Sequence, residues 1–271
     1  MADGLMTAIG LGVVQGVTEF LPISSDGHLA LFALAFHVRE ASLATTVTLH
    51  LGTLLATLLV FRAELRQLAV TLLGGGGGGG GLPARLASPE GKLLVRLIAA
   101  SVPTAAIGLA LEHTVEPLSA LPWAIGLGFL GSAVAVFSTR RREGRDELLS
   151  VPGALLVGVL QGLAVLPGLS RSASTIATAM ALGLGPQASF RFSFLLSMPA
   201  VAGAALLELG KPGVFTSLTS TAWIGAGVSF VTGIAALQLL RAMLGRGRFW
   251  AFGVYLVPLG AGLVLWDLLG R

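Results

Sequence analysis

Two short polar segments interrupt apolar stretches of this chain, and both carry residue types that can perform chemistry. In the first, Gln15 and Glu19 lie four residues apart and therefore share one face of a helix, and Ser24, Ser25 and His28 follow. Together they supply a metal-capable or basic carboxylate, hydroxyl nucleophiles and an imidazole that titrates near neutral pH. A structural alternative stays open, in which Ser24 or Ser25 only caps the next helix.

The second segment places one guanidinium among hydroxyl groups at the expected start of a helix running from about residue 174. Its residues are Ser170, Arg171, Ser172, Ser174 and Thr175. The planar fork of arginine matches phosphate oxygens, and a helix N-terminus adds unpaired N–H groups and a favourable dipole. This segment predicts a phosphate cradle, although Arg171 can also snorkel to a membrane interface while the hydroxyls only cap the helix.

The two segments together favour phosphoryl transfer. Hydrolysis of a phosphoanhydride mainly needs positioning and neutralisation of negative charge, which arginine, helix N-termini and a divalent cation provide. Weaker candidates for the same cavity are His50, Gln187, Ser189, Arg191 and Ser193.

The composition places these groups in a membrane protein. Of 271 residues, 54% are hydrophobic and 11% charged, and the formal net charge is +4. Soluble chains are about one quarter charged, so this polar surface cannot cover a water-facing exterior. The absence of cysteine excludes a disulfide scaffold. Basic residues occur in short clusters between apolar runs, which indicates membrane orientation and not a nucleic-acid partner.

Long, continuous apolar runs predict an all-α polytopic bundle forming one integral membrane domain over residues 1–271. Two further apolar regions, 5–36 and 151–185, are broken at 22–28 and 167–172, which predicts two re-entrant helical hairpins. The six expected full spans are residues 43–61, 93–111, 121–138, 190–207, 221–240 and 249–269.

The hairpins are related by an internal repeat. A shift of 146 positions aligns residues 12–17 with 158–163 and Ser24 with Ser170. Three full spans separate the hairpins, so we expect inverted repeats covering about 1–138 and 151–271, a plan in which paired broken helices build a binding site. The glycine run 74–81 should form a cytoplasmic linker within the first repeat.

Charge in the connections predicts which loops are cytoplasmic. Basic clusters follow the first, third and fifth full spans. They consist of Arg62, Arg66, Arg85 and Lys92, then residues 140–142 with Arg145, then Arg241, Arg246 and Arg248.

The two motifs resemble those of the bacterial undecaprenyl-diphosphate phosphatase family of the bacitracin-resistance type. The first is an [E/Q]xxxE segment that runs into a Pro-x-Ser-Ser-x-Gly-His turn at residues 15–28, and the second is PGxSRSxxT at residues 167–175. The resemblance extends over 49–53 and 192–199 and covers essentially the whole chain.

This resemblance implies dephosphorylation of undecaprenyl diphosphate to the monophosphate carrier used in cell-wall synthesis, with a divalent cation such as Mg²⁺ or Ca²⁺. It implies a multi-pass protein of the bacterial inner (plasma) membrane with inverted repeats, a polyprenyl diphosphate substrate and a catalytic cavity facing the periplasm. The sequence does not decide whether the protein forms a homodimer.

Carried over by position, the resemblance assigns roles to the residues of both motifs. Glu19 and Gln15 would bind metal or pyrophosphate, and His28 would act in acid–base chemistry. Arg171 with Ser170 and Thr175 would hold phosphate. Ser25 is the expected nucleophile, with Ser24 as its rival and direct attack by water as a third route.

Two positions depart from the family pattern. Gln15 stands where many members have glutamate, so one anionic metal ligand is missing and we expect weaker metal affinity. Ala173 replaces a glycine beside the cradle. The alternative function from another class is a secondary transporter or a polyprenyl-phosphate flippase, because broken-helix repeats are also the plan of transporters.

Overall fold

Helices form the whole of the regular structure described here. The structure is a computed structural model that describes residues 2–35, 43–74, 81–145, 148–214 and 217–270. Apart from its two ends, the glycine run 74–81 lies outside these residues. The helices are α1 (Ala2–Thr18), α2 (Ser25–Ala35), α3 (Leu43–Val60), α4 (Arg62–Leu73), α5 (Leu82–Ala87), α6 (Pro89–Ser119), α7 (Pro122–Ser138), α8 (Val151–Leu163), α9 (Arg171–Ala181), α10 (Pro186–Leu209), α11 (Ser220–Gly245) and α12 (Ala251–Leu269).

The all-α membrane prediction is confirmed, with four or five candidate spans among the described residues. The helices α6, α10, α11 and α12 are each long and apolar enough to cross a membrane. The pair α3 and α4 meets the same test jointly but bends by 75° at its break. All six predicted spans fall on helices, yet α7, with 17 residues, is a shorter apolar helix. A total of six spans therefore stays a prediction.

Both expected breaks are present, but the helices after them begin earlier than the sequence suggested. The interruptions cover residues 19–24 and 164–170, so α2 starts at Ser25 and α9 at Arg171. The helix α9 can begin there because Ser170 caps it, its hydroxyl accepting a hydrogen bond from the Ala173 N–H at 3.3 Å. The expectation that this helix runs from about residue 174 was wrong by one turn.

Each hairpin packs its first helix on a long helix through glycine. A Cβ atom on Gly12 or Gly16 of α1 would collide with α11, and one on Gly158 or Gly162 of α8 would collide with α6. The contacts advance in the same direction along both members of each pair, so the helices run parallel. Such small-residue faces bring backbones close together, which is how helices associate in a lipid environment.

A threonine marks the same place in both helix pairs. Thr232 of α11 donates a hydrogen bond to the Gly12 carbonyl at 3.4 Å, and Thr104 of α6 donates one to the Gly158 carbonyl at 2.9 Å. Because the helices of each pair run parallel, α1 starts at the end of the bundle where α11 starts, and α8 starts where α6 starts.

Many of the basic residues gather at the end where α7 and α11 finish and where α8, α10 and α12 begin, here called the basic end. The guanidinium of Arg140 lies 4.8 Å from the centroid of the Trp250 ring, and the Gln187 amide donates to the Arg241 carbonyl at 3.1 Å. The second hairpin enters from this end, and the first enters from the opposite end.

Helix α7 supports both interruptions. Its Gly128 lies against the backbone of Pro167 and Gly168, where any Cβ atom would collide. The next residue, Phe129, is fully buried and contacts the ring of His28 with centroids 5.2 Å apart. One helix therefore packs against the second break and against the start of α2, the helix that follows the first break.

We predict that Gly158→Ala lowers the thermal unfolding midpoint of the detergent-purified protein, because the new Cβ would collide with the Ala100 carbonyl on α6. The expected cost is about 1–3 kcal/mol. Gly227→Ala is the matched control, since a Cβ there meets nothing within 4 Å. Equal midpoints for the two variants would contradict this account of the packing.

Candidate active site

The centre of the candidate site is the buried carboxylate of Glu19, which lies in the first break. Its Oε2 accepts hydrogen bonds from the Ser25 hydroxyl at 2.6 Å and from the Gln15 amide at 3.1 Å. Its Oε1 forms an ion pair with a guanidinium nitrogen of Arg171 in the second hairpin. The Nε2 atom of His50 on α3 lies 3.7 Å from Oε2. Residues that are far apart in the sequence thus meet at one carboxylate.

The starts of two helices position the partners of this carboxylate. Ser25 is the first residue of α2 and Arg171 the first residue of α9. The positive ends of both helix dipoles are therefore near Glu19, an arrangement that favours negative charge. Ser25 and Arg171 are also 146 positions apart, the spacing of the internal repeat. The first residues of these two helices contact the two oxygens of one side chain.

The hydroxyl groups of the second hairpin form hydrogen bonds within the protein, and their predicted role in holding phosphate stays a prediction. The Ser170 hydroxyl caps α9 and lies 3.2 Å from that of Ser172. Thr175 donates to the Arg171 carbonyl at 2.8 Å, and its hydroxyl lies 2.5 Å from that of Ser193 on α10. The contact of Ser170 is of the capping type that the sequence left open, whereas Thr175 bonds back to the preceding turn of α9. Among the predicted site residues of this hairpin, Arg171 is the one that contacts Glu19.

His28 lies in the first turn of α2, just after the first break, and its partners differ from those of Glu19. Its Nδ1 is 2.8 Å from the Ser24 carbonyl oxygen, and its Nε2 is 2.7 Å from the hydroxyl of Tyr255 on α12. Ser24 itself is buried and has a positive φ of 68°. The structure therefore groups His28 with Ser24 and Tyr255.

A serine that the sequence analysis did not single out holds the second break in place. The Ser132 hydroxyl of α7 accepts a hydrogen bond from the Ser170 N–H at 2.7 Å and lies 3.1 Å from the Gly168 carbonyl. Ser132 is fully buried, and its partner Ser170 directly precedes Arg171 in the chain. A hydroxyl group in an otherwise apolar span indicates a hydrogen bond to a neighbouring segment, and this pattern could have identified Ser132 from the sequence.

The weaker candidates from the sequence separate into different places. His50 joins the Glu19 cluster, and Ser193 supports Thr175. Gln187 lies at the basic end beside Arg241. The Nε atom of Arg191 is buried and has no hydrogen-bond partner among the described residues.

A narrow cleft opens beside the Glu19 and Arg171 pair and has room for about one water molecule. Two threonines of α3 and one serine of α10 add hydroxyls to walls that are otherwise apolar. The lining residues are Glu19, Phe20, Thr53, Leu54, Thr57, Arg171, Ser197, Met198 and Val201. The arrangement combines a carboxylate that contacts a serine hydroxyl with an arginine suited to phosphate.

Comparison with known proteins agrees with this chemistry. Three similar curated proteins are named undecaprenyl-diphosphatase. The one from Desulfosudis oleivorans is 40% identical over 94% of this chain and 96% of its own length. Those from Korarchaeum cryptofilum and Geobacter metallireducens are each 38% identical, over 95% and 94% of this chain and 97% and 95% of their own lengths. Residues 8–262 match the family described as Bacitracin resistance protein BacA, and the chain belongs to that family.

Proposed function

We propose that this protein hydrolyses undecaprenyl diphosphate to undecaprenyl phosphate and inorganic phosphate. The observation that carries the proposal is the Glu19 carboxylate, which binds the Ser25 hydroxyl through one oxygen and the Arg171 guanidinium through the other. A base, a nucleophile and a phosphate-binding cation are thereby held at one point. The names of the similar proteins support the choice of substrate.

Ser25 is the proposed nucleophile. Its hydroxyl already donates to Glu19 at 2.6 Å, so the carboxylate can take the proton as the serine oxygen attacks the terminal phosphorus. The bond from phosphorus to the bridging oxygen breaks, and undecaprenyl phosphate leaves. Water then hydrolyses the phosphoserine, and this step releases inorganic phosphate and restores the hydroxyl.

Arg171 is the proposed phosphate ligand. Its side chain is 22% exposed, whereas that of Glu19 is 6% exposed, so the guanidinium lies on the accessible side of the pair. The starts of α2 and α9 add partial positive charge at the same place. Negative charge spread over the phosphoryl oxygens in the transition state is thereby neutralised.

A divalent cation fits the oxygen donors beside Glu19. The Oε1 atom of Gln15 is buried and has no hydrogen-bond partner among the described residues, and the Gln15 amide nitrogen already binds Glu19. Glu19, Gln15 and a substrate phosphate would supply the oxygen ligands that Mg²⁺ and Ca²⁺ prefer. The cation would neutralise the charge of the diphosphate. Within the described residues, no group of three acidic, histidine or cysteine side chains is arranged to hold a metal. We propose that substrate oxygens complete the coordination.

We also propose that the two hairpins belong to inverted repeats in a bacterial inner membrane, with the basic end in the cytoplasm and the catalytic cavity accessible from the periplasm. The equivalent pairing of α1 with α11 and of α8 with α6 supports the repeat. The clustered arginines support the orientation. At the other end, Lys211 is paired with Glu208 at 2.8 Å and with Glu112 at 3.5 Å, which leaves less net positive charge there.

The contact between Glu19 and Arg171 favours a phosphatase over a transporter. A transport pathway needs polar groups distributed along a route that opens to both faces, whereas these two residues converge on one point. Convergence on a single phosphoryl group is what hydrolysis requires.

The first experiment measures inorganic phosphate release from undecaprenyl diphosphate by the detergent-purified protein, with Mg²⁺ or Ca²⁺ and with a chelator. We expect release that depends on the cation and falls by at least about 10³-fold in Arg171→Ala, since the transition-state charge loses its neutralising group. Arg246→Ala, at an exposed arginine of the basic end, is the matched control and should retain activity. No release by the folded wild type would contradict the proposal.

A second experiment separates the two neighbouring serines. Ser25→Ala should abolish phosphate release, while Ser24→Gly should retain most of it, because glycine accepts the positive φ of position 24 without strain. Single-turnover assays of both variants provide the measurement. Equal activity of Ser25→Ala and wild type would point to direct attack by water.

A further inference from the structure

Both ring nitrogens of His28 have partners whose chemistry defines the tautomer. The Ser24 carbonyl oxygen can only accept, so the Nδ1 atom 2.8 Å away carries the hydrogen. In the neutral ring Nε2 is then an acceptor, and the Tyr255 hydroxyl, 2.7 Å away, donates to it. The rings of His28 and Tyr255 are stacked with centroids 5.7 Å apart, and Phe129 contacts the same imidazole.

The peptide that His28 binds is in an unusual conformation. Ser24 has a φ of 68°, in the left-handed region that residues with a Cβ atom rarely adopt. Such a conformation persists where surrounding contacts determine it. The bond from His28 to the Ser24 carbonyl is one of these contacts, and Ser25 follows directly with its hydroxyl on Glu19.

We propose that His28 and Tyr255 are positioning residues that act through Ser24. Together with the Ser24 carbonyl they form a clamp, called the His28 clamp, that holds the Ser24 turn so that Ser25 faces Glu19. Tyr255 orients the imidazole, and the imidazole fixes the turn. This inference rests on the proposed function, because it explains how the nucleophile of that reaction is placed.

The clamp and an acid–base role of His28 predict different results for one pair of variants. The side-chain amide nitrogen of asparagine is one bond beyond Cγ, as Nδ1 is in histidine, so His28→Asn can still donate to the Ser24 carbonyl but cannot exchange protons near neutral pH. We expect His28→Asn to retain at least about tenfold more kcat than His28→Ala. Equal loss in two folded variants would overturn the clamp.

Tyr255→Phe tests the second member of the clamp, because it removes only the hydroxyl group. We expect kcat to fall about fivefold, a typical effect of losing one hydrogen bond. We expect KM to change less than twofold and the pH profile to keep its shape, since the phosphate-binding groups are untouched. Trp266→Phe changes an exposed aromatic side chain of the same helix and is the matched control. Wild-type kcat in Tyr255→Phe would exclude Tyr255 from the clamp.

A spectroscopic measurement tests the clamp without relying on turnover. The chain has four histidines, so ¹⁵N-histidine NMR spectra of wild type and His28→Asn identify the His28 signals by difference. We expect a protonated Nδ1 in the wild type and a changed Nε2 shift in Tyr255→Phe. Protonation at Nε2 alone would overturn the clamp. If the wild type released no phosphate but showed the expected tautomer, the proposed function would fail while the contacts of His28 stood.

Discussion

The ion pair between Glu19 and Arg171 is the contact on which the rest of the structure depends. Each partner lies at an interruption of a helical hairpin inside an apolar bundle, where a lone charge would be costly. Each charge therefore stabilises the placement of the other. The first helices of both hairpins pack through glycine on α11 and α6, and the two interruptions lie close enough for Glu19 and Arg171 to meet.

Backbone geometry around the breaks determines which side chains can reach this ion pair. In the second hairpin, Ser170 and Thr175 hydroxyls bond to neighbouring groups of the helix start, while the longer arginine extends across to Glu19. In the first hairpin, the left-handed Ser24 turns the chain so that Ser25 contacts the carboxylate. The contacts to Glu19 from the two helix starts thus come from one residue of each, and the neighbouring hydroxyls of the second hairpin bond to the backbone.

Sequence patterns predicted the all-helical membrane fold and the two breaks, because apolar length and costly polar groups at helix interruptions are local signals. The same signals singled out Glu19, Ser25 and Arg171, which the structure brings into contact. They did not reveal the orientation of His28, since its partner Tyr255 lies 227 positions away. The contacts of Thr175 were also missed, because a hydroxyl in a helix can bond the preceding turn as readily as a ligand. Ser132 was overlooked for a similar reason, since its role depends on which face of α7 meets the second break.

The spacing of 146 positions between Ser25 and Arg171 bears on how such a chain can evolve. If the two halves arose by duplication of a shorter chain, positions 25 and 171 first carried the same residue type. Those two positions now lie on either side of the Glu19 carboxylate. A nucleophile and a cation could appear there only after the copies diverged. Fusion into one chain removes the requirement that both halves carry the same residue. A selective pressure on either helix start therefore acts on both halves of the protein at once.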